Sequence, residues 1–82
     1  MLKTSTVHSF SAAMARIFKE ERLRKNLTMS AVAERAGISQ QMLSYVERGI
    51  RKPTLETFFR ISVALELDLS EVVTLAAKSS GR

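Results

Sequence analysis

Helix-breaking residues are so few in this 82-residue chain, and so placed, that they dictate its architecture: Gly37, Gly49, Gly81 and Pro53 are the only glycines and proline. The stretches between them are rich in Ala, Leu, Glu, Lys, Arg, Met and Gln, all good helix formers, so no sheet is expected. Phe10, Met14, Ile17 and Phe18 recur at three- and four-residue spacing and predict a first helix opening near Ser9 or Ser11. That phase leaves Arg16, Lys19, Glu20, Arg24 and Lys25 to solvent, and Asn26 closes the helix. Residues 1–8 (MLKTSTVH) are rich in β-branched residues and lack helical periodicity, so they read as a flexible arm.

Thr28 has the chemistry of an N-cap, and Val32, Ala33 and Ala36 behind it face inward until Gly37 stops a short second helix. Ser39 caps a third helix, with Met42, Leu43 and Val46 apolar and Gly49 at its end. Residues 49–53 (GIRKP) form a basic loop. Thr54 then opens a fourth helix whose broad apolar face comprises Leu55, Phe58, Phe59, Ile61, Ser62 and Leu65. Leu67, Asp68 and Leu69 read as a connector. Ser70 and Glu71 open a fifth helix, Val72 to about Lys78, with Val72, Val73, Leu75, Ala76 and Ala77 apolar nearly all round.

A chain of this size holds one small core, and the absence of cysteine rules out disulfides, thiolate metal sites and thiol nucleophiles. The single imidazole, His8, makes no metal cluster and reads as an exposed bystander in the arm. There is no phosphate-cradling glycine loop and no Ser/His/acid set, so neither an enzyme nor a bound cofactor is expected. Thirteen Lys and Arg against eight Asp and Glu leave a formal charge of +5, which points to a polyanionic partner. No apolar run approaches the roughly 20 residues that cross a bilayer, and the bases are interspersed with acids rather than opposed to an apolar stripe. A cytoplasmic, nucleoid-associated protein with no membrane partner is expected.

The spacing from Thr28 to Gly49 is the most informative. Two short helices separated by Gly37, Ile38 and Ser39 cross tightly, with small Ala33 at the crossing and Ile38, Leu43 and Val46 turned inward. In such a helix-turn-helix unit the first helix braces across the DNA backbone and the second presents its N-terminal residues to base edges in the major groove. Residues 27–67 (LTMSAVAERAGISQQMLSYVERGIRKPTLETFFRISVALEL) resemble the phage-repressor/Cro-like, or XRE, helix-turn-helix family. The resemblance rests on Leu27-Thr28, Val32-Ala33, Ala36 to Ser39, Leu43-Ser44, Glu47 to Gly49, Pro53 to Thr57 and Ala64-Leu65. It implies an all-α, five-helix, lambda-repressor-like domain that binds double-stranded operator DNA, usually as a dimer, and regulates transcription. On this reading residues 9–78 form the DNA-binding and dimerisation domain and residues 79–82 a disordered tail.

The resemblance places Gln40, Gln41, Ser44 and Tyr45 toward the groove, and their chemistry agrees. Gln pairs bidentately with adenine, Ser bonds several base edges, and Tyr meets a thymine methyl or a phosphate. Thr28, Ser39, Arg48, Arg51 and Lys52 are candidate phosphate contacts, because caps and basic loops present N–H groups and cations where the backbone passes. The resemblance further implies an ion pair between Arg22 and Glu47 that joins the first helix to the recognition helix. Two positions depart from the family pattern: Met29 stands where Gln is common, and Glu21 stands where an apolar residue is usual, with Leu23 expected to serve in its place. Leu69, Val72, Val73, Leu75 and Ala76 are the expected homodimer face.

The chain offers no room for a ligand-sensing domain, so no small-molecule effector is expected, and occupancy would follow its own concentration or a protein partner. The leading expectation is an autoregulating repressor or activator, including the controller type of restriction–modification systems. An antitoxin that pairs with a toxin through Thr57 to Ile61, or an adaptor that uses the fold for protein contact alone, are the alternatives.

Overall fold

The computed structural model describes residues 4–50 and 53–80, with side chains from residue 6 onward. Five helices follow one another: α1 (Thr4–Arg24), α2 (Met29–Ala36), α3 (Gln40–Glu47), α4 (Leu55–Ala64) and α5 (Leu69–Ser80). Among the described residues there is no strand and no helix long and apolar enough to cross a membrane.

Each short helix begins where a side-chain oxygen satisfies an orphan backbone donor. Thr28, Ser39 and Thr54 stand in extended backbone and accept from the N–H groups of Ala31, Met42 and Thr57. The fourth cap was not anticipated. Asp68, read as part of a connector, accepts from the N–H of Ser70 at 2.8 Å and of Glu71 at 3.4 Å, so α5 starts at Leu69 rather than near Ser70. The Ser70 hydroxyl and these two N–H groups hold the Asp68 carboxyl below its ordinary range.

The first four helices close in left-handed turns. Asn26 at φ 57° closes α1 as expected, and Glu66 at φ 60° does the same for α4, where the Leu67 N–H bonds the Ser62 carbonyl at 2.8 Å across the turn. At its other end α1 departs from expectation. It begins at Thr4, so residues 4–8 are helical rather than a flexible arm. Extending a nucleated helix adds one hydrogen bond per residue fixed, and the modest penalty of Thr6 and Val7 does not offset that gain. Likewise Ser79 and Ser80 belong to α5, where Ser80 donates to the Ala76 carbonyl at 2.8 Å. Residues 81–82 of the expected tail lie outside the described residues.

The core draws on every helix: Met14 and Phe18 of α1, Val32 and Ala36 of α2, Leu43 and Val46 of α3, Ile61 and Leu65 of α4, and Val72 and Ala76 of α5. Phe18, fully buried, meets the ring of Phe58 at 5.9 Å between centroids, tilted by 40°. Helix α5 runs antiparallel along the second half of α1. Lys25, at the end of α1, donates to the Leu65 carbonyl just before α5, and Arg16 reaches the Ser79 hydroxyl near its far end. Lys25 is therefore half-buried, not solvated as its place on the helical wheel suggested.

Helix α4 turns a narrower stripe inward than its composition suggests. Ile61, Ser62, Ala64 and Leu65 are buried, whereas Leu55 is 71% exposed and Phe59 56% exposed. Six apolar positions on ten residues span more than one face, and one side of a short helix meets the core.

Candidate nucleic-acid interface

The angle between α2 and α3 is set at Gly37, whose φ of 71° and ψ of 33° lie in the left-handed region that glycine enters without penalty. Its N–H bonds the Ala33 and Glu34 carbonyls, and the Ile38 N–H bonds Ala33 O at 3.0 Å, so the chain reverses in one step. Arg60 of α4 also reaches this turn, and its flexible tip would have to shift for any side chain at position 37. Arg60 donates to the Ala36 carbonyl at 3.3 Å, and a Cβ at position 37 would lie 2.9 Å from its Nη1. Arg60 thus satisfies an orphan carbonyl of α2 from 24 residues away, a role no local pattern reveals.

After the turn, Ser39 Oγ accepts from the Met42 N–H at 3.0 Å and fixes the first turn of α3. Gln40 and Gln41 are exposed there, and Ser44 and Tyr45 are half-buried one turn on. Gln41 Nε2 donates to the Tyr45 hydroxyl at 2.6 Å, and the Arg48 guanidinium stands 5.7 Å from the centroid of the same ring. Gln41, Tyr45 and Arg48 therefore form one line of polar groups along the exposed side of α3, ending in a cation. Thr28 and Ser39 each use an acceptor lone pair for capping, which leaves the hydroxyl hydrogen available as a donor. Arg51 and Lys52 lie outside the described residues.

The other end of α3 is clamped. Arg22 Nε donates to Glu47 Oε2 at 2.7 Å and Nη2 to Oε1 at 3.1 Å, the two-pronged geometry that guanidinium and carboxylate favour. Arg22 Nη1 also donates to the Leu27 carbonyl at 2.9 Å, so one side chain ties α1, the α1–α2 turn and α3 together. The side chains are 9% and 2% exposed, and the carboxylate raises the proton affinity of the guanidinium.

Both departures from the family pattern have structural explanations. Glu21 is a half-buried clasp whose carboxylate bonds Arg24 at 2.7 Å and Lys25 at 3.2 Å. The hydrogen bond from Arg24, with Lys25 beside it, holds the Glu21 carboxyl down to about 2. Leu23 does not take over as an inward residue, being 53% exposed, because the phase set by Met14, Phe18 and Arg22 points it outward. Met29, in place of the usual Gln, packs against the core instead of offering an amide.

The expected dimer face is divided. Val72 and Ala76 are 2% and 0% exposed within the protein's own core, packed between α5 and its neighbours, so they cannot meet a second copy. Leu69 and Val73 are half-buried against the same core, and Leu75 is 57% exposed. The helix hides more of its apolar surface against α1 than its composition implied.

The helix-turn-helix family model matches residues 18–72, from within α1 to the first turn of α5. Over 57 residues the chain is 44% identical to an uncharacterized HTH-type transcriptional regulator of Sinorhizobium fredii, covering 70% of this chain and 74% of that one. Its fold is similar to that of the clp gene regulator ClgR from Corynebacterium glutamicum, with a TM-score of 0.76 at 27% identity over 85% of this chain and 91% of the other. A point mutant of the restriction–modification controller protein C.Esp1396I shares the fold with a TM-score of 0.76 at 22% identity, over 84% of this chain and 90% of that one. The capped, glycine-hinged helix pair, the matched segment and these relatives agree: the chain belongs to the XRE-type helix-turn-helix family of transcriptional regulators.

Proposed function

We propose that this protein regulates transcription by binding a specific operator sequence through the N-terminal turn of α3. The observation that carries the reading is the exposed pair Gln40 and Gln41 at the start of a helix fixed at both ends, by the Ser39 cap and by the Arg22–Glu47 clamp. Glutamine amides offer a donor and an acceptor to adenine N7 and N6, and a rigid helix presents them without a large ordering cost. Ser44 and Tyr45 extend the base-reading line, and the hydroxyls of Thr28 and Ser39 with Arg48, Arg51 and Lys52 take the flanking phosphates.

The protein binds a palindromic site as a homodimer, joined through the part of α5 that the core leaves out, Leu75 with Leu69 and Val73 at its margin. That arrangement would set two recognition helices about 34 Å apart, one duplex turn. It acts by occupancy rather than catalysis, and its own promoter is the proposed first target. The net charge of +5 supports a strong phosphate contribution.

Selection of duplexes from a random pool, followed by gel-shift titration at two salt concentrations, tests the reading. We expect a palindromic consensus, submicromolar affinity and a steep loss of affinity with salt. Equal, weak binding to selected and scrambled duplexes would overturn it and favour an adaptor that contacts only protein.

A further inference from the structure

A second surface, with polar groups set among apolar ones, lies next to the recognition line. Because α1 begins at Thr4, its first turns carry His8, Ser11 and Ala12 alongside the turn that follows α3. Between them lies an open groove whose other wall is Arg48, Gly49 and Ile50. Residues 8–12 precede the segment 18–72 that the family model matches.

We propose that this groove seats the DNA phosphate backbone, with His8 and Ser11 as phosphate contacts that complement Arg48; the proposal rests on the DNA-binding reading above. The lining supplies an imidazole, a hydroxyl and a guanidinium, and no carboxylate. All three polar groups offer donors to phosphate oxygens, and Arg adds a fixed positive charge. Arg48 belongs to both surfaces. Its guanidinium stands over the Tyr45 ring on the recognition side while its residue walls the groove, so a duplex read by Gln40 and Gln41 passes its flanking strand along this side.

Gly49 contributes room. At φ 68° it has no atom within 4 Å of where a Cβ would stand, so a strand approaches the backbone closely here. The groove is partly open to solvent, so a strand of a repeating polyanion can lie along it.

The test uses the full chain, a short duplex of random sequence and the duplex selected by the wild type. His8 is exposed, so its variants should keep the wild-type melting temperature. We expect His8→Ala and Ser11→Ala each to weaken binding to both duplexes about 2- to 10-fold, the loss of one hydrogen bond, without changing the preference between them. His8→Lys should tighten both and steepen the salt dependence by about one counterion, and His8→Glu should do the reverse. If the wild type shows salt-dependent duplex binding and all four variants match it in affinity and slope, the groove proposal fails while the DNA reading stands. If the wild type binds neither duplex in a salt-dependent way, both fail. Binding of inorganic phosphate that the His8 variants alter, with duplex affinity unchanged, would also overturn the proposal.

Discussion

Truncating Arg22 to alanine is the most revealing single perturbation of this fold. The change deletes two bonds to Glu47, at 2.7 and 3.1 Å, and a third to the Leu27 carbonyl at 2.9 Å. It leaves the Glu47 side chain, 2% exposed, as a buried carboxylate without its cation. Breaking one side of a buried pair typically costs about 3–5 kcal/mol, and small domains often have little more than about 5 kcal/mol in total. Each kcal/mol lowers the melting temperature of a domain this size by about 4–8 °C, so Arg22→Ala should be partly unfolded near room temperature. Replacing both partners, Arg22→Met with Glu47→Leu, removes the buried charge along with its cation and should recover much of the loss. Urea titrations of the wild type, both single variants and the double variant complete the cycle. Additivity within about 0.5 kcal/mol would refute the reasoning, because two side chains that share a buried contact cannot act independently.

Three further outcomes follow from particular groups. Ser62 Oγ is buried with no hydrogen-bond partner among the described residues, so Ser62→Ala should stabilise the domain by about 1 kcal/mol in the same titration, and a loss would show that the hydroxyl is satisfied. Glu66 holds φ 60°, and Glu66→Gly should add about 0.5–1 kcal/mol by relieving the left-handed strain; a destabilised variant would mean that its contact with Lys25 at 3.6 Å outweighs it. The Glu21 carboxyl, lowered from 4.5 to about 2 chiefly by the Arg24 hydrogen bond, contributes stability that is present above pH 4.5 and lost as pH falls toward 2. The acid limb of a melting-temperature profile should therefore be shallower in Glu21→Gln, and identical limbs would show that solvent screens the clasp.

What the sequence discloses here is local chemistry. The caps at Thr28, Ser39 and Thr54 and the left-handed turns at Asn26, Gly37 and Gly49 all sit where residue type predicts, because each rests on the conformational limits of a few neighbouring residues. The Arg22–Glu47 pair spans 25 residues, and only family resemblance pointed to it. Tertiary packing decided the rest. The exposure of Phe59, the burial of Val72 and Ala76 and the reach of Arg60 to Ala36 depend on which side of each helix meets its neighbours, and a helix such as α5, with apolar residues on several sides, leaves that choice to tertiary packing. Helix α1 began earlier than its apolar stripe because propagation needs no hydrophobic contact once a helix exists. The proposed major-groove residues could be named as a set from the sequence, but the line from Gln41 through Tyr45 to Arg48 emerged only from side-chain geometry.

The central claim is that the first turn of α3 reads sequence while the cations around it only position the protein. Affinities of Gln40→Ala and Gln41→Ala for the selected duplex and for a random one, at the same salt concentration, test it most directly. Loss of a base-reading amide should cost about 1–3 kcal/mol on the selected duplex, roughly 5- to 150-fold, and leave random-duplex affinity nearly unchanged. Parallel losses on both duplexes would contradict the account, since residues that weaken every sequence alike are not reading any.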